Sequence, residues 1–154
     1  MTLLDAALPQ WRFRERHSIK IAASPERIFD AIRSVTAREI FLFRTLTFIR
    51  RFGRSGPPGI LNPPPDEPIL DVATRTGFRI VDSDPPREIV IGIDISPKTF
   101  AAMNFRIEGE TLSTETRAAS KGAAFAAYWF AIRLGSGFIR RMWLRAIKKR
   151  AERS

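Results

Sequence analysis

Trp11-Arg12-Phe13-Arg14-Glu15-Arg16-His17-Ser18-Ile19-Lys20-Ile21 alternates strictly, with Trp11, Phe13, Glu15, His17, Ile19 and Ile21 on one face and Arg12, Arg14, Arg16, Ser18 and Lys20 on the other. A period of two is that of a β-strand. The second row is almost wholly cationic and reads as solvated, so the first row is the one expected inside. That row carries a carboxylate and the only histidine of the protein. Side chains two apart on a strand leave the same face about 6.5–7 Å from each other, so Glu15 and His17 are placed to share a ligand, a water or a proton. They are the first candidates for function.

The 154 residues suit one domain with a core of its own, read as 11–154 behind an N-terminal extension over 1–10. A hydrophobic share of 44% and a charged share of 27% are those of a soluble globular protein. No apolar run approaches the ~20 residues of a membrane span, and the first ten residues do not read as a signal peptide, so a cytoplasmic location is expected. The absence of cysteine removes disulfides, thiolate nucleophiles and thiolate-ligated metals, and a single histidine rules out a multi-histidine centre within one chain. Neither a metal nor a cofactor is expected. Of the net charge of +10, the segment from Arg133 to Ser154 supplies +7, with eight basic residues against Glu152. The excess is local.

Downstream of the first strand, Ser24-Pro25 reads as an N-cap followed by proline at the first helical position, and Ile28, Phe29 and Ile32 form the stripe of a short helix. Thr36 and Glu39 have capping-box spacing, which predicts a second helix running on to Gly53. Residues 53–68 hold six of the eleven prolines and three of the nine glycines and read as loop, a rim to any pocket. Ile69 to Ala73 reads as a short strand or helical turn. Strands are expected at Gly77 to Asp82 and Arg87 to Ile95 around the Asp84-Pro85-Pro86 turn, with Ile89, Ile91, Ile93 and Ile95 sharing a face. Two more, Ala101 to Glu108 and Thr111 to Ala119, flank a Gly109-Glu110 hairpin turn. In the last of these, Thr114 and Thr116 point inward, while Glu115 and Arg117 point out with Glu115 in reach of Arg14 or Arg16. From Ser120 the period is helical, and Gly135-Ser136-Gly137 should kink or break that helix.

This order, together with Glu15-Arg16-His17-Ser18-Ile19 leading to Ala23-Ser24-Pro25-Glu26, Ala37-Arg38-Glu39-Ile40 with Arg44-Thr45-Leu46, Pro85-Pro86-Arg87-Glu88-Ile89-Val90, Thr114-Glu115-Thr116-Arg117, and Tyr128-Trp129 through Ile139-Arg140-Arg141, resembles the START-like (SRPBCC) superfamily over about residues 11–152. It is closest to bacterial members labelled polyketide cyclase/dehydrase-like. The resemblance implies an α+β helix-grip fold, in which a curved antiparallel sheet wraps a long C-terminal helix and two short helices follow the first strand. Fuller members have two more strands between the helix pair and Gly77. It also implies a pocket between sheet and helix for a small, largely hydrophobic molecule, walled by Phe13, Glu15, His17, Phe41, Arg44, Phe105, Thr114, Thr116, Tyr128 and Ile132.

In that pocket Glu15 and His17 could act as acid and base, as a cyclase or dehydratase acting on a polyketide-like or aromatic substrate requires. They would equally serve as ligand-orienting groups, or as structural polar groups bonded to helix residues or to Arg44. Tyr128 offers a hydroxyl to the same space or packs in an aromatic stripe. A rival function comes from the basic end, where Arg140, Arg141, Arg145, Lys148 and Lys149 oppose Phe138, Ile139, Met142, Trp143, Ala146 and Ile147. A basic amphipathic helix with tryptophan can lie on an anionic membrane surface. Nucleic acid is disfavoured, since no reading motif accompanies the charge. The glycine-rich stretches lack the lysine and the strand-to-helix context of a phosphate loop.

Overall fold

The computed structural model describes residues 1–40, 63–120 and 123–153, and of the side chains at 123–136 those of Ala126 and Trp129. Five strands form one antiparallel sheet in the order β1-β5-β4-β3-β2: β1 Phe13–Lys20, β2 Arg79–Asp84, β3 Glu88–Ser96, β4 Thr99–Glu108 and β5 Thr111–Ser120. Helix α1 spans Leu3–Ala7, α2 Pro25–Ser34, α3 Ile69–Arg75 and α4 Ala123–Arg153. Strands β2 to β5 form a meander, and β1 pairs with β5 to become the other edge of the sheet. With the 31-residue α4 lying over the inner face of the sheet, this is the α+β helix-grip arrangement.

Local signals account for most of these boundaries. Ser24 Oγ accepts from the Arg27 N–H at 3.3 Å, and Pro25 begins α2. Glu39 accepts from the Thr36 N–H at 2.7 Å in the expected capping box. Thr36 leads into a single 3-10 turn, Ala37–Glu39, and Ile40 is already extended at φ −87°, ψ 109°. The remainder of the expected second helix lies outside the described residues, as do 53–62 of the proline-rich loop. Its end, 63–68, leans on the 3-10 turn through Arg38 N–H to Pro65 O at 3.2 Å. Residues 69–75 resolve the strand-or-turn ambiguity as helix. Gly135-Ser136-Gly137 does not break α4, which is assigned as continuous helix through all three.

The inner layer packs Ile89, Ile91, Met103, Phe105, Ile107 and Leu112 of the sheet against Ile28, Phe29 and Ile32 of α2 and Trp143, Leu144, Ile147 and Ala151 of α4. Phe105 meets the Trp143 ring edge-on at 5.2 Å. The isoleucine row of β3 is inside only for part of its length. Ile89 and Ile91 are buried, whereas Ile95, where the strand outruns the core, is 48% exposed.

The outer face departs from a simple solvated surface. Arg12, Arg14, Arg16, Ser18 and Lys20 are exposed, but Glu115 and Arg117 are buried because α1 lies across β3, β4 and β5. Leu4 and Leu8 pack on Val90 and Ala102, while Glu88 accepts from the Leu3 N–H at 3.0 Å and the Leu4 N–H at 3.3 Å. Arg117 bridges Glu115 at 2.6 Å and Asp5 at 2.8 Å, and Arg14 reaches Glu115 diagonally at 2.8 Å, although the register sets Arg16 opposite Glu115. Trp11, placed inside by alternation, precedes β1 and stands 43% exposed, with the guanidinium groups of Arg14 and Arg117 over its ring.

Thr2 and Arg117 hold the Asp5 carboxyl well below the usual carboxylate range. Burial alone would raise Glu115, but hydrogen bonds from Arg14 and Arg117 hold it below its ordinary 4.5. Both groups bind protons more readily unfolded than folded, so the stability they contribute is present above pH 4.5 and drains away as pH falls through their folded values. Thermal midpoints measured from pH 6 to pH 2 should therefore drop below about pH 4.5, and Arg117→Met, which removes the shared cation, should flatten that drop. An equal slope in both proteins would show that this network does not carry the acid sensitivity.

Candidate functional site

Cross-strand register assembles the site. Glu15 of β1 stands opposite Thr116 of β5, which faces Met103 of β4 and then Ile91 of β3. In the adjacent row His17 faces Thr114, then Phe105 and Ile89. The inner surface is thus polar over β1 and β5 and apolar over β4 and β3.

His17 Nε2 and Glu15 Oε1 are 2.7 Å apart, with both side chains largely buried. In the neutral imidazole this hydrogen bond puts the proton on Nε2, donating to the carboxylate, and leaves Nδ1 as the basic nitrogen. The second carboxylate oxygen of Glu15 faces Nη1 of Arg140 at 3.8 Å, a distance of charge attraction but not of hydrogen bonding. Only 14% of the Arg140 side chain is exposed. Burial pushes its guanidinium down from the ordinary arginine value, and the Glu15 charge acts in the opposite sense.

Arg140 was expected on the outer basic face, and this is corrected: it lies on the inner stripe of α4. Gly137, Arg140, Trp143, Leu144, Ile147 and Ala151 recur at intervals of three and four, the spacing of one helix face. Gly137 explains the close approach, since a β-carbon there would stand 2.8 Å from Glu15 Oε1 and 3.7 Å from His17 Nε2. The glycine that reads as a helix breaker instead lets the helix backbone reach the carboxylate. Phe138, grouped by the sequence with the apolar positions that oppose the basic ones, is 38% exposed.

Among the described residues, four polar atoms on β5 and α4 are buried without a hydrogen-bond partner: Thr114 Oγ1, Thr116 Oγ1, Arg140 Nη1 and Trp143 Nε1. Buried polar groups are normally satisfied, so four such atoms on the facing surfaces of sheet and helix are a mark of function or of bound solvent. The two threonines were legible from alternation. Arg140 and Trp143 were not assigned to the site, and the signal that could have found them is the three-and-four spacing from Gly137.

Phe13 lies on the same inner row, half-buried, with its ring 5.5 Å from that of Trp129. Phe41 and Arg44 lie outside the described residues, and Tyr128 and Ile132 are on the α4 backbone with side chains that are likewise outside. Of the remaining basic positions, Arg141, Arg145 and Lys149 are exposed, while Lys148 is tied down by Lys20 O at 2.8 Å and Glu152 at 2.9 Å. Among the described residues no group of three or more His, Cys, Asp or Glu is arranged to hold a metal. No described helix is long and apolar enough to cross a membrane. Two surface grooves, one beside Asp84, Pro85 and Pro86 and one beside Trp11 and Pro97, do not include Glu15 or His17.

No family model matches the chain, and no curated protein matches it significantly. Solved structures do. One is the di-domain ARO/CYC BexL from the BE-7585A biosynthetic pathway, at 16% identity and TM-score 0.45, with 91% of this chain and 50% of that one covered. This chain therefore spans half the length of that protein. Another is protein CV1439 from Chromobacterium violaceum, at 13% identity and TM-score 0.44, covering 90% and 96% of the two chains. A third is the Polyketide_cyc-like protein Cgl2372 from Corynebacterium glutamicum, at 15% identity and TM-score 0.38, covering 92% and 91%.

Proposed function

We propose that this protein binds a small, largely apolar molecule between the inner face of its sheet and α4, with Glu15 and His17 orienting it. The observation that carries the reading is a buried, hydrogen-bonded carboxylate–imidazole pair beside the unpartnered Thr114 and Thr116 hydroxyls, next to a wall of Met103, Phe105, Ile89 and Ile91. Small-molecule sites have this make-up, mostly apolar with a few polar groups that fix orientation. Affinity would come from apolar area removed from water, at about 25 cal/mol per Å² before ordering costs. This reading takes the protein to be cytoplasmic.

Native mass spectrometry of the protein purified from its host tests this reading. A stoichiometric apolar companion is the expected result. A protein that is empty, and whose melting temperature does not move in a screen of lipids and polyphenols, overturns it.

The second reading is a cyclase or dehydratase on a polyketide-like or aromatic substrate. It is favoured by the fixed His17 Nε2, which leaves Nδ1 available as a base with Glu15 behind it. Turnover of such a substrate would then fall about 100-fold or more in both Glu15→Gln and His17→Ala, and unchanged turnover in either removes the reading.

Anionic membrane contact through α4 is supported by the exposed Phe138, Arg141, Arg145 and Lys149, which succeed one another at three- and four-residue steps. Co-sedimentation with phosphatidylserine vesicles that is lost in Arg141→Ser/Arg145→Ser/Lys149→Ser is the outcome expected of it. Sedimentation that survives the triple change excludes this stripe as the cause.

A further inference from the structure

The unpartnered atoms of β5 and α4 are not a random set. Arg140 Nη1 and Trp143 Nε1 are obligate donors, and both come from α4, three residues apart on its inner stripe. Thr114 and Thr116 supply hydroxyls from β5, and both side chains are almost fully buried. Trp143 rests on Phe105, which is the register neighbour of Thr114, so the indole N–H and the threonine row belong to one patch. Donors in excess call for an acceptor from elsewhere.

Glu15 does not fill that role. Its Oε1 is committed to His17 at 2.7 Å, and its Oε2 stops 3.8 Å from Arg140, which leaves the guanidinium compensated by charge but not hydrogen-bonded at Nη1. A guanidinium offers five donors in a planar fork that matches a carboxylate bidentately.

From this juxtaposition we infer that the molecule bound between sheet and helix is an apolar monocarboxylate, its carboxylate received by Arg140 with Trp143 Nε1 and the Thr114 and Thr116 hydroxyls, and its apolar body laid on Met103, Phe105 and Ile91. The inference rests on the reading that a small apolar molecule binds in this space, and goes beyond it by naming the chemistry of the head group.

Isothermal titration of the full chain with matched pairs, decanoate against decanol and 2-naphthoate against 2-naphthalenemethanol, tests it. The acid of at least one pair should bind about tenfold or more tighter than its alcohol, the margin of a charge-assisted over a neutral hydrogen bond. Arg140→Gln should erase that preference. Arg141→Gln, at an exposed position on the same helix turn, should keep the preference and so separates this site from the general attraction of a protein of net charge +10. Equal binding of acid and alcohol in the unmodified protein overturns the inference and leaves the apolar-ligand reading standing, and needs no variant to fold. A preference that survives Arg140→Gln, or that is lost in Arg141→Gln, also overturns it. Failure of all four compounds to bind overturns the inference together with the reading beneath it.

Discussion

Glu15→Ala is expected to lower the unfolding free energy by about 3–5 kcal/mol, the range for removing one partner of a buried charge pair. The carboxylate is the hydrogen-bond partner of His17 and the counter-charge nearest to Arg140. Its loss strands a guanidinium whose side chain is only 14% exposed. Because the main cost is an uncompensated buried charge, removing the second charge should restore much of it. Glu15→Met combined with Arg140→Met is therefore expected to be more stable than Glu15→Ala, since apolar groups of similar volume replace a pair whose desolvation was expensive. Urea denaturation with an unchanged slope would measure both. A loss below about 1 kcal/mol in the single variant, the range of an exposed ion pair, would mean that water reaches Arg140.

Phe105→Ala should cost a similar amount, about 3–5 kcal/mol, for a different reason. This ring is 2% exposed, lies edge-on to Trp143, and occupies the centre of the row that joins His17 and Thr114 to Ile89. Its removal forfeits transfer energy and leaves a cavity that a sheet on one side and a long helix on the other are poorly placed to collapse. The loss should not depend on whether Arg140 is present, which distinguishes it from the Glu15 effect. Ile95→Ala provides the contrast. Ile95 belongs to the same alternating row of β3 as Ile89 and Ile91 but lies beyond the core at 48% exposure, so its change should stay within about 0.5 kcal/mol. Comparable losses at 95 and 105 would mean that the whole isoleucine row is covered.

The elements that could be read from the sequence are those whose cause is local. Ser24-Pro25 starts α2 because a hydroxyl and a proline act within one turn, and the Thr36–Glu39 box closes on itself across three residues. That same box closes a 3-10 turn that the chain leaves at Ile40, and the rest of the expected helix lies outside the described residues. The hairpin at Gly109 was visible because a left-handed residue, φ 61°, is needed there and glycine supplies it. Gly137 has the same identity and a different cause. Its missing β-carbon makes room for a carboxylate 122 positions earlier in the chain, and nothing in its neighbours announces that.

Alternation is a property of the extended backbone alone, so it suffices to establish β1 and to turn Glu15 and His17 to the side opposite the arginines. It determined likewise that Thr114 and Thr116 share a face. That Thr114 and Thr116 stand opposite His17 and Glu15, that Arg140 joins them from α4 and leaves the basic surface, and that α1 buries Glu115 and Arg117 on the other side all come from the way the chain folds back on itself. Strand register, the rotation of a helix about its axis and the docking of one layer on another are set by packing between distant segments. A basic residue within a helical pattern therefore reads as solvated until the fold places a carboxylate in front of it.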